Sequence, residues 1–146
     1  MSLYKQIVQK RKELREKALN SNSPNLEQYE IFKVWRDLRK VNSLIEFPLY
    51  IQHKLRLIIA YINLRFPNTK YIKLVGSYAN GEWIDETSTN PEKEIKLAIR
   101  HKDKISDFDI EIDEGVNEII EIDGIKIHIL KPGMSQGFYI KNKQDV

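Results

Sequence analysis

Residues Lys73–Trp83 read KLVGSYANGEW, and the fold turns on how that run divides. Together with Lys70–Ile72 its first part gives KYIKLV, a short β-branched and apolar stretch that predicts a buried strand. The strand stops at Gly76-Ser77, and a second turn signal follows at Asn80-Gly81. A strand that ends in Gly-Ser and turns at once leaves backbone N–H groups without ladder partners, and a glycine lets a phosphate approach the main chain closely. Ser77 adds a hydroxyl. The same pair also suits an ordinary strand-to-loop turn.

Upstream the apolar period is helical. Leu3, Tyr4, Ile7, Val8, Leu14 and Ala18 predict an amphipathic helix over residues 3–19 whose outer face carries Lys5, Lys10, Arg11, Lys12, Arg15 and Lys17. NSNSPN (Asn20–Asn25) breaks it, with Ser23 as N-cap and Pro24 in the first turn of the next helix. There Leu26, Tyr29, Phe32, Trp35, Leu38, Val41 and Leu44 recur every three residues, so the helix is expected to run to about residue 45, with Trp35 in the core. Pro48 opens a third helix, in which Ile51, Leu55, Ile58, Ile59 and Ile62 share a face until Pro67.

Downstream, residues 84–105 are polar. PEKEIKLAIRHKDK fits either a short helix after Thr89-Asn90-Pro91 or a strand around Ile95–Ile99. DFDIEID then alternates strictly, and NEIIEIDGIKIHIL reads as two strands joined by Asp123-Gly124, a strong hairpin signal. The tail from Pro132 is expected to be loosely structured. No internal repeat, low-complexity tract or linker is visible.

In DFDIEID the period of two places Asp107, Asp109, Glu111 and Asp113 on one face and Phe108, Ile110 and Ile112 on the other. Glu111 and Asp113 read as solvent-facing acids. Asp107 and Asp109 are candidate metal ligands, because Mg²⁺ accepts one or two carboxylates supplemented by substrate phosphates. His128 is a candidate proton acceptor, since an imidazole titrates near neutral pH; a polar residue on a half-exposed strand is the plainer reading. His53 and His101 have no partners in the sequence that would make a zinc site. Tyr78 and Trp83, beside the Gly-Ser turn, suit either base stacking or packing.

The chain has 146 residues, no cysteine and a net charge of +3. The length fits one domain, 1–146, with a helical region 1–66 and a sheet region 67–146. Without cysteine there is no disulfide framework and no thiolate nucleophile. No signal peptide or apolar run of membrane-spanning length is read, so a cytoplasmic protein without a membrane partner is expected. Residues 1–75 hold 15 Lys/Arg against 6 Asp/Glu, whereas residues 76–146 hold 9 against 15. A basic half beside an acidic half suits a protein that brings a polyanion to a carboxylate cluster, and it equally suits helices with wet basic faces.

The order of helix, strand ending in Gly-Ser, and strand beginning Asp-x-Asp resembles the nucleotidyltransferase superfamily, which includes the DNA polymerase β-like and minimal nucleotidyltransferases. VGSYANG and ISDFDIEI carry the likeness, which covers roughly Pro48–Leu130. It implies that Gly76 and Ser77 contact a nucleoside triphosphate and that Asp107 and Asp109 hold Mg²⁺ or Mn²⁺ and are catalytic. It also implies a third acid near the middle of IKIHIL, where this chain has Lys126 and His128; Glu121 or Asp123 would have to substitute. The connection from Ser77 to Asp107 is longer than the family's usual one, so residues 84–105 are expected to be a lid, a specificity element or an interaction surface.

The expected fold is therefore α+β, nucleotidyltransferase-like, with a small mixed or antiparallel sheet packed on the second and third helices. The leading function is transfer of a nucleoside monophosphate from an NTP to a hydroxyl acceptor on protein or RNA. The alternative is a catalytically inactive module of the same fold that serves a protein assembly. Nucleic-acid binding through the basic first helix is a third expectation.

Overall fold

The computed structural model describes residues 2–21, 24–100, 104–133 and 136–142. The elements are α1 (Leu3–Ser21), α2 (Pro24–Arg39), a 3-10 turn at Leu44–Glu46, α3 (Leu49–Arg65), β1 (Tyr71–Val75), α4 (Gly76–Asn80), α5 (Asn90–Arg100), β2 (Phe108–Ile112), β3 (Glu118–Ile122), β4 (Ile125–Leu130) and β5 (Phe138–Asn142). The class is α+β, and no helix among the described residues is long and apolar enough to cross a membrane. The chain folds into two compact units, one from Met1–Lys40 and Gly81–Ser106, the other from Val41–Asn80 and Asp107–Val146.

The first unit is helical. Ile7 of α1, Ile31, Phe32 and Trp35 of α2, Ile84, and Ile95 of α5 form its core, with Leu3 and Ile99 packed against them. Residues 84–100 thus supply Ile84 and Ile95 to this hydrophobic core, and Ile99 against it: part of the polar stretch folds as α5, whose inner face is apolar. Arg39 locks the unit from the end of α2. Its guanidinium lies between the rings of Trp35 and Trp83, 4.6 and 3.9 Å from their centroids, and Nη1 donates to the carbonyls of Gly81 (2.9 Å) and Trp83 (2.7 Å). Nε stands 3.5 Å from Glu92 Oε2, which also accepts from Trp35 Nε1 at 3.3 Å. A buried guanidinium is tolerable here because its charge is paired and most of its donors are used.

α2 ends at Arg39, earlier than its apolar period predicts. The reason is local: the Glu46 carboxylate accepts from the backbone N–H groups of Asn42 (2.6 Å) and Ser43 (2.9 Å), starting a new capped turn where the helix would otherwise continue. Gly81, at φ +83°, packs directly on the last turn of α2, and a Cβ there would overlap the Arg36 carbonyl.

The second unit is a five-stranded mixed sheet, ordered β3-β4-β2-β1-β5, with α3 on one face. β1 pairs antiparallel with β2 and β5, β4 antiparallel with β3, and β2 parallel with β4. Ile72, Leu74, Phe108, Ile110, Ile112, Ile127 and Ile129 are buried, as are Ile51, Leu55, Ile58 and Ile62 of α3. Two contacts fix α3 on that face: Arg65 pairs with Glu118 of β3, and Phe47, just before α3, packs on Phe138 of β5 with ring centroids 6.2 Å apart. α2, expected against the sheet, belongs with α1 and α5. The tail is not loose throughout, because Phe138–Asn142 adds β5 to the edge of β1.

Candidate functional site

The polar face of the sheet is the outcome of two strand registers. Antiparallel pairing sets Val75, the last residue of β1, opposite Asp109. Parallel pairing sets His128 of β4 on the other side of Asp109. Three segments distant in sequence therefore converge on one carboxylate.

Gly76, at φ +70°, begins α4 immediately beyond that register point. A Cβ at Gly76 would overlap Asp109 Oδ2 and stand 3.0 Å from its Cγ. The glycine that sequence reading assigns to a phosphate thus also makes room for the protein's own carboxylate. Ser77 follows in the first turn of α4 and is partly exposed. Asp107 lies one residue before β2, partly exposed, on the side of Asp109 by strand alternation.

On its far side Asp109 Oδ1 is 3.6 Å from His128 Nδ1, with the two side chains 28% and 32% exposed. That separation is too long for a hydrogen bond and suits an ion pair once the imidazole is protonated. His128 occupies the middle of β4 where the resemblance calls for a third acid. Lys126 is exposed and opposite Glu121 on β3, and Asp123 forms the hairpin turn. No group of three or more His, Asp or Glu side chains among the described residues is arranged to hold a metal ion.

The other two acids of β2 are not the solvent-facing residues they appear to be. Glu111 is only 4% exposed and accepts a hydrogen bond from the Tyr71 hydroxyl at 3.1 Å. Burial, then that hydrogen bond and the Glu111 charge, push the Tyr71 phenol up to about 12. Asp113 accepts from the Thr69 hydroxyl and from the Lys70 N–H at 2.9 Å. Burial acts to raise its pKa, but these two bonds, with the Lys70 charge, hold it below the ordinary carboxylate value. Both acids are structural staples, one on β2 and one just after it, and of the four only Asp109 is seated against the Gly-Ser turn.

The neighbouring aromatics are packing groups. Tyr78 of α4 is buried and stacked on Phe108 at 3.9 Å and 10°, while Trp83 covers Arg39 in the helical unit. His53 is exposed on α3, and His101 lies outside the described residues. On α1, Arg11 is 3.5 Å from Glu94 and Lys10 is 3.8 Å from Glu13, so part of its basic face is already neutralised; the side chains of Arg15 and Lys17 lie outside the described residues. The meeting of Gly76 with Asp109 had a signal in the sequence, since one antiparallel strand ends at Gly-Ser where the other begins at Asp-x-Asp. The placing of His128 beside Asp109 had no signal in strand or turn chemistry, because it depends on a parallel pairing between strands that a hairpin separates; only the resemblance, which puts an acid near the middle of IKIHIL, pointed there. Compared with protein-family models, curated proteins and solved structures, the chain matches none.

Proposed function

We propose that the sheet unit binds a nucleoside triphosphate at the Gly76-Ser77 turn and transfers its monophosphate to a hydroxyl acceptor. The observation that carries this reading is the seating of Asp109 against Gly76, which brings the Gly-Ser turn and the acidic strand to one point. Asp107 and Asp109 are two oxygen donors, a set that fits Mg²⁺ or Mn²⁺ with phosphate and water as its remaining ligands. His128 is not an oxygen donor, so the residues suit one such ion better than two. A divalent cation there would supply neutralisation of the triphosphate charge. In the transfer the acceptor oxygen bonds to the α-phosphorus, the bond from that phosphorus to the bridging oxygen breaks, and pyrophosphate leaves. The acceptor's proton passes to His128, whose imidazole faces Asp109 and is partly exposed.

A second reading has its own observation. With His128 where a third acid would stand, and no three-residue metal group among the described residues, the same unit also suits a non-catalytic module within an assembly. Calorimetric titration with each of the four NTPs in Mg²⁺ or Mn²⁺, using Asp107→Asn/Asp109→Asn as control, separates the two. Metal-dependent heat that the double variant abolishes supports transfer chemistry. Folded protein that binds no NTP leaves the assembly module.

A further inference from the structure

α3 is apolar on two faces. Ile51, Leu55, Ile58 and Ile62 point into the sheet, yet Tyr50, Leu57 and Leu64 recur every seven residues on the opposite side, with His53 and Ala60 between them. All five are exposed, Leu64 to 84%, and Leu49 beside them to 72%. The spacing puts Tyr50, Leu57 and Leu64 at successive a positions of a heptad seam, with His53 and Ala60 at d, along about 21 Å. A helix that is hydrophobic on both sides is ordinarily buried on both sides, and an exposed contiguous apolar stripe marks an interaction surface.

The charge pattern selects the occupant. α3 contains no Asp or Glu, and Lys54 and Arg56 fall at the positions flanking the seam. A second copy of α3 would bring no acidic side chain to meet Lys54 and Arg56. A partner helix with leucines on one face and acidic flanks would meet them with opposite charge. The small Ala60 lets such a helix approach closely near the C-terminal half of the seam. We propose that the outer face of α3 docks an acidic amphipathic helix of a partner protein.

The test uses the full chain and a fluorescein-labelled three-heptad peptide with Leu at a and d and Glu at e and g, read by anisotropy. A second peptide carries Lys at e and g. The acidic peptide should bind at least tenfold more tightly than the basic one, and more weakly as salt rises. Leu57→Glu/Leu64→Glu should weaken its binding at least tenfold, and Leu64→Gln, at a site too exposed to affect folding, should weaken it measurably. Light scattering should show the chain alone to be monomeric. Equal binding of both peptides, or none at millimolar concentration, overturns the proposal. A dimer that the Leu57→Glu/Leu64→Glu variant dissociates also overturns it, because the occupant is then a second copy.

Discussion

Gly76→Ala gives the most direct reading of how the polar face is built. An alanine at φ +70° costs roughly 1–2 kcal/mol relative to glycine, from the clash of Cβ with the adjacent backbone. The new methyl would also overlap Asp109 Oδ2 and press on Cγ at 3.0 Å, so the carboxylate must rotate by about 1 Å. Turning it off its rotamer adds roughly 0.5–1.5 kcal/mol. The expected loss is therefore about 2–3 kcal/mol. In an Asp109→Ala background only the Cβ contact at 3.1 Å remains, and the same substitution should cost about 1–2 kcal/mol, a coupling near 1 kcal/mol. Urea unfolding followed by far-UV circular dichroism, together with amide exchange of β1 and β2, measures both costs. Tryptophan fluorescence is the internal control, since Trp35 and Trp83 both belong to the helical unit. If Gly76→Ala costs the same in both backgrounds to within about 0.5 kcal/mol, the carboxylate does not occupy the space that the glycine leaves.

Two further substitutions probe the buried charges. Arg39→Met strips the donors from the Gly81 and Trp83 carbonyls and the partner from Glu92, and should destabilise the helical unit by about 3–5 kcal/mol, with a red shift of tryptophan emission; a loss below about 1 kcal/mol would show that the guanidinium is not a clamp. Thr69→Val removes a hydrogen bond that favours the ionised form of Asp113, so its cost, about 1 kcal/mol for a partly exposed pair, belongs to pH values above the ordinary carboxylate pKa and fades as pH falls through the lower pKa of the folded state. Urea unfolding at pH 7 and pH 2 checks the sign: a penalty equally large at both would sink the assignment.

The elements whose signals are local were legible. β1, β2 and the β3–β4 hairpin follow from alternation and turn chemistry, and Asp123 and Gly124 adopt the two positive φ values, +48° and +79°, that the hairpin demands. β5 was hidden because Phe138–Asn142 becomes a strand only by pairing with β1, beyond a segment with Pro132, Gly133 and Gly137. The end of α2 departs from its apolar period because Val41 and Leu44 extend that period past the point where Glu46 begins a new turn. Of the site, residue types and the Gly76–Asp109 meeting could be anticipated. The parallel β2–β4 register could not, because β3 is an excursion to the outer edge that returns the chain alongside β2, and nothing in the composition of a hairpin reveals on which side it folds back.

The same path through the fold sets an order of events during synthesis. The chain leaves the helical unit after Lys40, returns at Gly81 and leaves again after Ser106. The helical core therefore has all its parts once residue 106 has been made. At that point β1 has been made with neither neighbour, since β2 and β5 are both still to come. A strand carrying Ile72, Leu74 and Val75 must wait with two open edges, the state in which nascent chains are most prone to aggregate. A released chain ending at residue 106 should show native tryptophan fluorescence and depend on chaperones to stay dispersed.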